Sequence, residues 1–379
     1  MSLKAFYGWV YREEPRVAPV VDAILPSQVE KLRLDPYQAI HLSLPERNEC
    51  LPQLWEDWIK RRVVVSEPLP TLYAYSQTFY QYGERPQAYQ RLGIIGLLTL
   101  DALLLPHEKT LDSRLEAICQ TYRHLLLQTT PIHVLASAAW EAIFPLLQNY
   151  LSCPRFSVGG VDGVMHRWTP IHHLKHQEFI CEKIGRGPFF IADGHHRWKA
   201  ALDVGAIHLL VYVTPLQDGS LHIVPTHRLV EGKVPFLEAL QKYFEFRSST
   251  ARVPLWREIQ GLRYAIGIVE PGGKAWTARL RPSYWSYLQE RPMISWLHEW
   301  VFDSAEKVEF SRDPIRMIEA ATRGEGWAFL LPPLRIEEVH QAALQGQKLP
   351  PKSTYFFPKV LSGMCFYYEG DTRIGFAAP

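Results

Sequence analysis

The densest chemistry in the sequence is the run Ile191-Ala192-Asp193-Gly194-His195-His196-Arg197-Trp198-Lys199-Ala200-Ala201-Leu202. An apolar stretch stops at an Asp-Gly pair, and a helix then starts with two histidines and an arginine. Gly194 lets the chain turn sharply and approach a ligand closely, the amide N–H groups of a helix start point outward, and the helix dipole favours negative charge there. Arg197 can grip phosphate with two parallel hydrogen bonds, and His195 and His196 can both donate to one. Asp193 suits three roles: capping the helix, holding Mg²⁺, or accepting a proton from a substrate hydroxyl. Spacing does not separate them. The competing reading is a capped helix with surface histidines, and the crowding of perturbable groups favours the functional one.

Three further segments set polar residues beside proline in apolar surroundings. Leu105-Pro106-His107-Glu108-Lys109-Thr110 offers Glu108 as a general base, the alternative being a helix start capped by Thr110 or Asp112. Pro225-Thr226-His227-Arg228-Leu229 ends a strand with a second His-Arg pair, His227 and Arg228. Pro351-Lys352-Ser353-Thr354-Tyr355-Phe356-Phe357-Pro358-Lys359, then Ser362-Gly363, brings two lysines, Lys352 and Lys359, the hydroxyls of Ser353 and Thr354 and a Gly turn, which could close over phosphates or simply form a polar loop. His172-His173-x-x-His176 has metal-ligand spacing, but no carboxylate or cysteine completes it nearby, so a solvated helix face is the better reading. His298-Glu299 lacks the second histidine of a metalloprotease helix. A Walker loop, a dinucleotide fingerprint and a nucleophile elbow are all missing from the sequence.

These segments need a scaffold, and the composition supplies one. The chain has 379 residues, 47% hydrophobic, with 41 Lys plus Arg against 39 Asp plus Glu. That balance excludes disorder, fibres and coiled coils, and the lack of a basic block or helix-turn-helix argues against nucleic acid. The five cysteines, with no Cys-x-x-Cys pair, read as reduced thiols. The charged start and the break of the apolar run at Asp101 point to a protein neither exported nor membrane-spanning, hence cytoplasmic. Pattern predicts a helix near Ser27 to Leu34, a strand at Gln38 to Leu44 and a helix near Leu54 to Arg62. A hairpin follows, Thr71 to Tyr82 and Arg91 to Thr99, turning at Gly83-Glu84-Arg85-Pro86. Helices follow at Leu111 to Leu127 and Ala138 to Tyr150 around a strand at Pro131 to Leu135. The strand Phe189 to Ala192 leads into a helix from His195 to Val204 and a strand at Leu209 to Thr214. The main boundary is placed at Gly232, giving units of residues 1–232 and 233–379, with the last segment of the second returning toward the site.

Taken together, the four polar segments resemble a known family, the domain of unknown function 1015. Ala328-Phe329-Leu330-Leu331-Pro332-Pro333 and Phe357-Pro358-Lys359-Val360-Leu361-Ser362-Gly363 extend the resemblance over nearly the whole chain. The family's Val-Ala-Pro-Pro-Tyr-Asp reads Val17-Ala18-Pro19-Val20-Val21-Asp22 here, losing Pro-Tyr and keeping the acid. The Asp-Gly-His-His-Arg turn is also similar to that of free serine kinases of the ParB and sulfiredoxin superfamily. The resemblance implies an α+β fold, a ParB/sulfiredoxin-like mixed-sheet core with a second, C-terminal α+β unit. It also implies nucleotide phosphates, ATP or ADP foremost, and Mg²⁺ at Asp193 to Arg197, with Gly194 in the cradle. Glu108 and Asp22 are candidate acids chosen from the family-like segments. The resulting expectation is a kinase-like phosphotransferase acting on a small hydroxylated metabolite, serine or a relative of it. Asp193, His195, His196 and Glu108 would do the chemistry, and Arg197, His227, Arg228, Lys352, Ser353 and Thr354 would hold the nucleotide. A homodimer is compatible with this. The competing class is a nucleotide-binding switch with no metabolite substrate, and a phosphorylated product distinguishes the two. A sulfiredoxin-like role is disfavoured because the nearest thiol, Cys181, sits upstream on a helix.

Overall fold

The computed structural model describes residues 2–370 apart from 22, 47–48, 81–86, 111, 233–235, 250–253, 261, 263, 287, 289–290 and 304. The expected turn at Gly83 to Pro86 and the candidate Asp22 lie outside the described residues. The chain divides into two compact units. The first comprises Met1–Pro106, Thr110–Leu221 and Pro358–Pro379, and the second His107–Lys109 and His222–Phe357. Both are mixed α and β.

The first unit is built on a nine-stranded mixed sheet. In spatial order it runs Leu104–Leu105, Phe189–Asp193, Ile132–Ala136, His208–Pro215, Ala88–Thr99, Leu72–Tyr80, Met165–Ile171 and Phe156–Gly159, with Leu3–Lys4 also on Ala88–Thr99. Two pairings are parallel, Phe189–Asp193 with Leu104–Leu105 and His208–Pro215 with Ile132–Ala136. Alternation along a strand sends side chains to opposite faces, and here both faces are apolar. On Leu72–Tyr80, Leu72 and Ala74 join a core closed by the helices Asp112–His124, Trp140–Leu151, Leu174–Ile184 and His195–Asp203. Tyr73 and Tyr75 face the other way, under Val360, Leu361, Met364 and Cys365 of the C-terminal segment.

The second unit is a six-stranded antiparallel sheet in the order Phe244–Ser248, Ala275–Leu280, Ala265–Val269, Trp327–Leu330, His227–Glu231 and Lys307–Ser311. Separate apolar clusters cover its two faces, one around Phe302 and Phe329, the other around Ile259, Met317 and Leu330. Residues 107–109 join this unit through Leu349, whose amide donates to the His107 carbonyl at 2.7 Å and whose carbonyl accepts from the Lys109 amide at 3.2 Å.

Two expectations are corrected. The boundary falls between Leu221 and His222, not at Gly232, because His227–Glu231 pairs with Lys307–Ser311 and Trp327–Leu330 of the second sheet. The expected strand at Gln38 to Leu44 is a single helical turn, Ile40–Ser43. The apolar residues at 40, 42 and 44 mimic strand alternation, but the Asp35 carboxylate accepts from the Tyr37 amide at 3.0 Å and starts a turn. Among the described residues no helix is long and apolar enough to cross a membrane.

Candidate functional site

The Asp-Gly turn in the first unit is set by its strand. Pairing of Phe189–Asp193 with Ile132–Ala136 runs in register to Ile191 and then slips, so that Asp193 lies opposite His133. Such a bulge re-aims the side chain that follows it. Gly194 then takes a left-handed φ of 99°, and a Cβ placed there would lie 3.0 Å from the Arg197 Nη2 and 3.2 Å from the Ile132 Cγ1. Only glycine does this without strain. The helix His195–Asp203 starts at once, with His195 buried and His196 partly exposed.

Asp193 is held between two cations. Its Oδ2 accepts from the Arg197 Nη2 at 2.9 Å and its Oδ1 from the Lys359 Nζ. Arg197 Nη1 donates to the carbonyls of Thr130 and Pro131, each at 2.8 Å. Of the five N–H bonds of a guanidinium, two are left on Arg197. Lys359 arrives on the C-terminal segment, which is pinned in turn. Gln77 Nε2 donates to the Lys359 carbonyl at 2.8 Å, and the buried Arg91 donates to the carbonyls of Pro358 at 3.3 Å and Ser220 at 2.6 Å. Burial alone would raise the Asp193 carboxyl, but the charges of Lys359 and Arg197 outweigh it and hold the group well below the usual carboxylate range. Burial, seconded by Arg91, keeps His133 neutral, its Nε2 2.8 Å from the Thr214 hydroxyl and its ring stacked on Tyr212. Arg91, Arg197 and Lys359 set against Asp193 leave a positive excess on this sheet face. Asp218, partly exposed and acting on Arg91, does not cancel it.

The same face carries a polar row across neighbouring strands, in which Tyr212 packs on Tyr75 and the Tyr75 hydroxyl meets His166 Nδ1 at 2.6 Å. The sequence offers Lys359 only as one of two lysines that could close over phosphates, and Gln77, Arg91 and His133 escaped the sequence reading. Their signal was a polar side chain inside a strand or segment otherwise apolar, most plainly Arg91 at the head of Leu92 to Leu98.

The other expected residues gather in the second unit. Glu108 Oε1 accepts from the Lys352 amide at 2.9 Å and its Oε2 from the Thr354 hydroxyl at 3.3 Å. His107 Nε2 lies 2.9 Å from that hydroxyl, and the Ser353 hydroxyl donates to the Pro350 carbonyl at 2.7 Å. Lys352 sits at a left-handed φ of 58°, costly for a residue with a Cβ and stabilised by the Glu108 contact to its amide. Arg228, on the strand His227–Glu231, donates to the carbonyls of Thr226 and Lys352, the latter at 3.1 Å. His227 turns away, its Nδ1 accepting from the Leu331 amide at 3.1 Å. Three of the four polar segments thus meet around Lys352, while the Asp193 turn belongs to the first unit.

A resident Mg²⁺ does not fit Asp193 in this geometry, because each carboxylate oxygen is already committed to a cation of the chain. Among the described residues no group of three or more His, Cys, Asp and Glu could hold a metal. His172 pairs with the buried Glu67 at 3.1 Å, and His176 meets the Tyr150 hydroxyl at 2.9 Å. Burial pushes the Cys181 thiol up to about 11, far from a reactive thiolate.

A family model described as "Protein of unknown function (DUF1015)" matches residues 3–303. No curated protein matches. Solved structures similar to this chain include a free serine kinase variant in complex with ADP, at TM-score 0.39 and 15% identity over 69% of this chain and 86% of that one. A conserved hypothetical protein from Pyrococcus furiosus is similar at TM-score 0.39 and 15% identity, over 70% and 93%. A C-terminally truncated SbnI from Staphylococcus aureus is similar at TM-score 0.40 and 14% identity, over 73% and 83%. At these scores the likeness bears no further weight.

Proposed function

The chain belongs to the family described as Protein of unknown function (DUF1015), and from that premise we propose that it is a nucleotide-dependent phosphotransferase acting on a small hydroxylated metabolite. The first unit is read as a ParB/sulfiredoxin-like core that takes the phosphates of ATP or ADP at Asp193 to Arg197. One observation carries this: a buried, net positive cluster meets a glycine turn at the start of a nine-residue helix. Phosphoryl transfer asks a protein chiefly for positioning and charge stabilisation, which cations and outward amides supply.

Each residue has a defined part. Gly194 gives the phosphates access to the backbone, and the helix start offers its amides, with His195 and His196 as side-chain donors. Arg197, fixed by Asp193 and two carbonyls, keeps two N–H bonds for an oxyanion. Lys359 is shared between Asp193 and the phosphoryl group. Within the second unit, Glu108 can accept the proton of a bound hydroxyl that replaces the longer 3.3 Å contact from Thr354 while the 2.9 Å bond to the Lys352 amide stays. Lys352, Ser353, Thr354 and Arg228, expected from the sequence to hold the nucleotide, are read instead as lining that position because they gather with Glu108 in the second unit, and His227 supports the strand that carries Arg228.

The test is calorimetric titration of the full chain with ATP, ADP, AMP and CTP, on wild type and Lys359→Gln, followed by ³¹P NMR of mixtures containing serine or glycerate. Binding of an adenine nucleotide weakened at least tenfold by Lys359→Gln, with a phosphorylated acceptor, supports the reading. Binding with only nucleoside diphosphate released points to a switch, and no nucleotide binding removes both.

A further inference from the structure

Arg228 is a costly side chain to bury in the second unit. It is 1% exposed on the strand His227–Glu231, and among the described residues no carboxylate oxygen comes within 4.0 Å of it. Its partners are the carbonyls of Thr226 and Lys352, the Nε2 of His298 at 3.4 Å, and the face of Phe310 at 5.2 Å from the ring centre. None of these carries a negative charge, and burial holds His298 neutral with a pKa of about 3, so it adds no second cation. A buried guanidinium that its acidic neighbour Glu108 reaches only from beyond ion-pair distance is expensive unless something anionic comes to it. Three of its five N–H bonds are engaged, which leaves two, the number that one oxyanion takes side by side.

The surroundings suit a small, oriented ligand. Arg228 and Glu108 grip opposite ends of one residue, Arg228 at the Lys352 carbonyl and Glu108 at the Lys352 amide. A small molecule with a hydroxyl one or two bonds from an oxyanion has the length to address both. Burial draws Arg228 down to about 9, with Glu108 opposing, so it stays charged at neutral pH. Lys352 is held in a strained backbone conformation where its side chain starts at the same place. Such strain persists where the surroundings enforce it, often at ligand sites.

We propose that Arg228, with Lys352, forms an oxyanion subsite in the second unit that binds the carboxylate or phosphate of a small hydroxylated metabolite, whose hydroxyl faces Glu108. This rests on the phosphotransferase reading for the hydroxyl's role, and it names the acceptor as an acid rather than a neutral alcohol or sugar. The subsite itself needs no nucleotide.

The experiment is calorimetric titration of the full chain with serine, glycerate, inorganic phosphate, and the neutral analogues serinamide and glycerol, each with and without ADP. Wild type is expected to bind at least one of the oxyanions at least tenfold more tightly than its neutral analogue. Arg228→Gln should lose at least tenfold in that affinity while its ADP affinity stays within twofold. Serine or glycerate binding with phosphate inert assigns a carboxylate, and phosphate competing with them assigns a shared oxyanion position. Equal affinity of serine and serinamide, no oxyanion binding, or an Arg228→Gln protein that binds as wild type overturns the proposal. Should Arg228→Gln not fold by circular dichroism, Lys352→Gly decides instead. It keeps the left-handed backbone and the amide bonded to Glu108, so a tenfold loss without a fall in melting temperature supports the subsite and unchanged affinity overturns it. ADP binding that survives while oxyanions fail would sink this inference alone, and loss of ADP binding alone would sink the nucleotide reading.

Discussion

Lys359→Met tests the central contact of the first unit. Lys359 and Asp193 have side chains 9% and 17% exposed, and the ammonium bonds one carboxylate oxygen while Arg197 bonds the other. Removing one partner of a buried pair costs about 3–5 kcal/mol. Arg197 remains to neutralise Asp193, and the Gln77 bond goes to the backbone carbonyl, so the loss should sit near the lower end, about 3 kcal/mol. For a domain of 150–250 residues that is a fall in melting temperature of roughly 6–12 °C. The pH dependence gives a second handle. Asp193 has a folded pKa below its unfolded one, so its contribution is complete above the ordinary carboxylate range and is lost as pH falls toward the folded value. In Lys359→Met the carboxyl protonates at higher pH than in wild type, so the gap between the two proteins should be full at pH 7 and narrow below about pH 4. Calorimetry of wild type, Lys359→Met, Asp193→Asn and the double variant provides the assay. A Lys359→Met protein melting within about 2 °C of wild type at pH 7, or a double variant that loses the sum of the singles, would refute the reasoning.

Gly194→Ala should destabilise by about 1–2 kcal/mol, because an alanine at φ 99° is strained and its Cβ meets Ile132 Cγ1 at 3.2 Å; an unchanged urea midpoint would contradict this. Lys352→Gly should do the opposite, gaining about 1 kcal/mol by relieving a left-handed lysine at φ 58°, read from the same denaturation curves. Buried histidines make the fold acid-sensitive. His166 is drawn to about 3, His227 to about 4 and His298 to about 3, each chiefly by burial. The unfolded chain therefore takes up protons that the native one refuses. Stability should fall as pH drops through about 6.5, by about 1.4 kcal/mol per pH unit for each such histidine. Flat urea midpoints between pH 7.5 and 5, or ring NMR signals of these residues titrating near 6.5, would count against it.

The sequence disclosed those parts of the site whose chemistry is local. Asp193 to Arg197 announces itself because a glycine turn, a helix start and an ion pair four residues apart are all written in consecutive residues. The pairing of Lys359 with Asp193 does not, since it depends on a segment 166 positions away crossing back over the sheet. Arg91 and Gln77 looked like interruptions in apolar strands until pairing placed them side by side. The boundary moved for a similar reason. Gly232 is a clear break in local pattern, yet His227–Glu231 before it owes its place to partners at Lys307–Ser311 and Trp327–Leu330, which no local signal reveals. Ile40–Ser43 failed differently, because alternation of apolar residues at even positions suits a strand and a helical turn alike when only four residues are involved.

The two units answer the cost of burying charge in different ways, and the difference bears on what each does. In the first, Asp193 balances Lys359 and Arg197 within the protein, so the turn is pre-formed and its cations are aligned before any ligand arrives. Removing a cation there should hurt the fold first and binding second. In the second, Arg228 touches backbone carbonyls, a neutral imidazole and a ring face, with Glu108 acting on it only from beyond ion-pair distance. Stability alone would favour an apolar residue at such a position. A bound oxyanion supplies what the protein does not, so the acceptor's acid should raise the melting temperature of the second unit more than nucleotide does. That ordering follows from the counter-ions alone, before any statement about turnover.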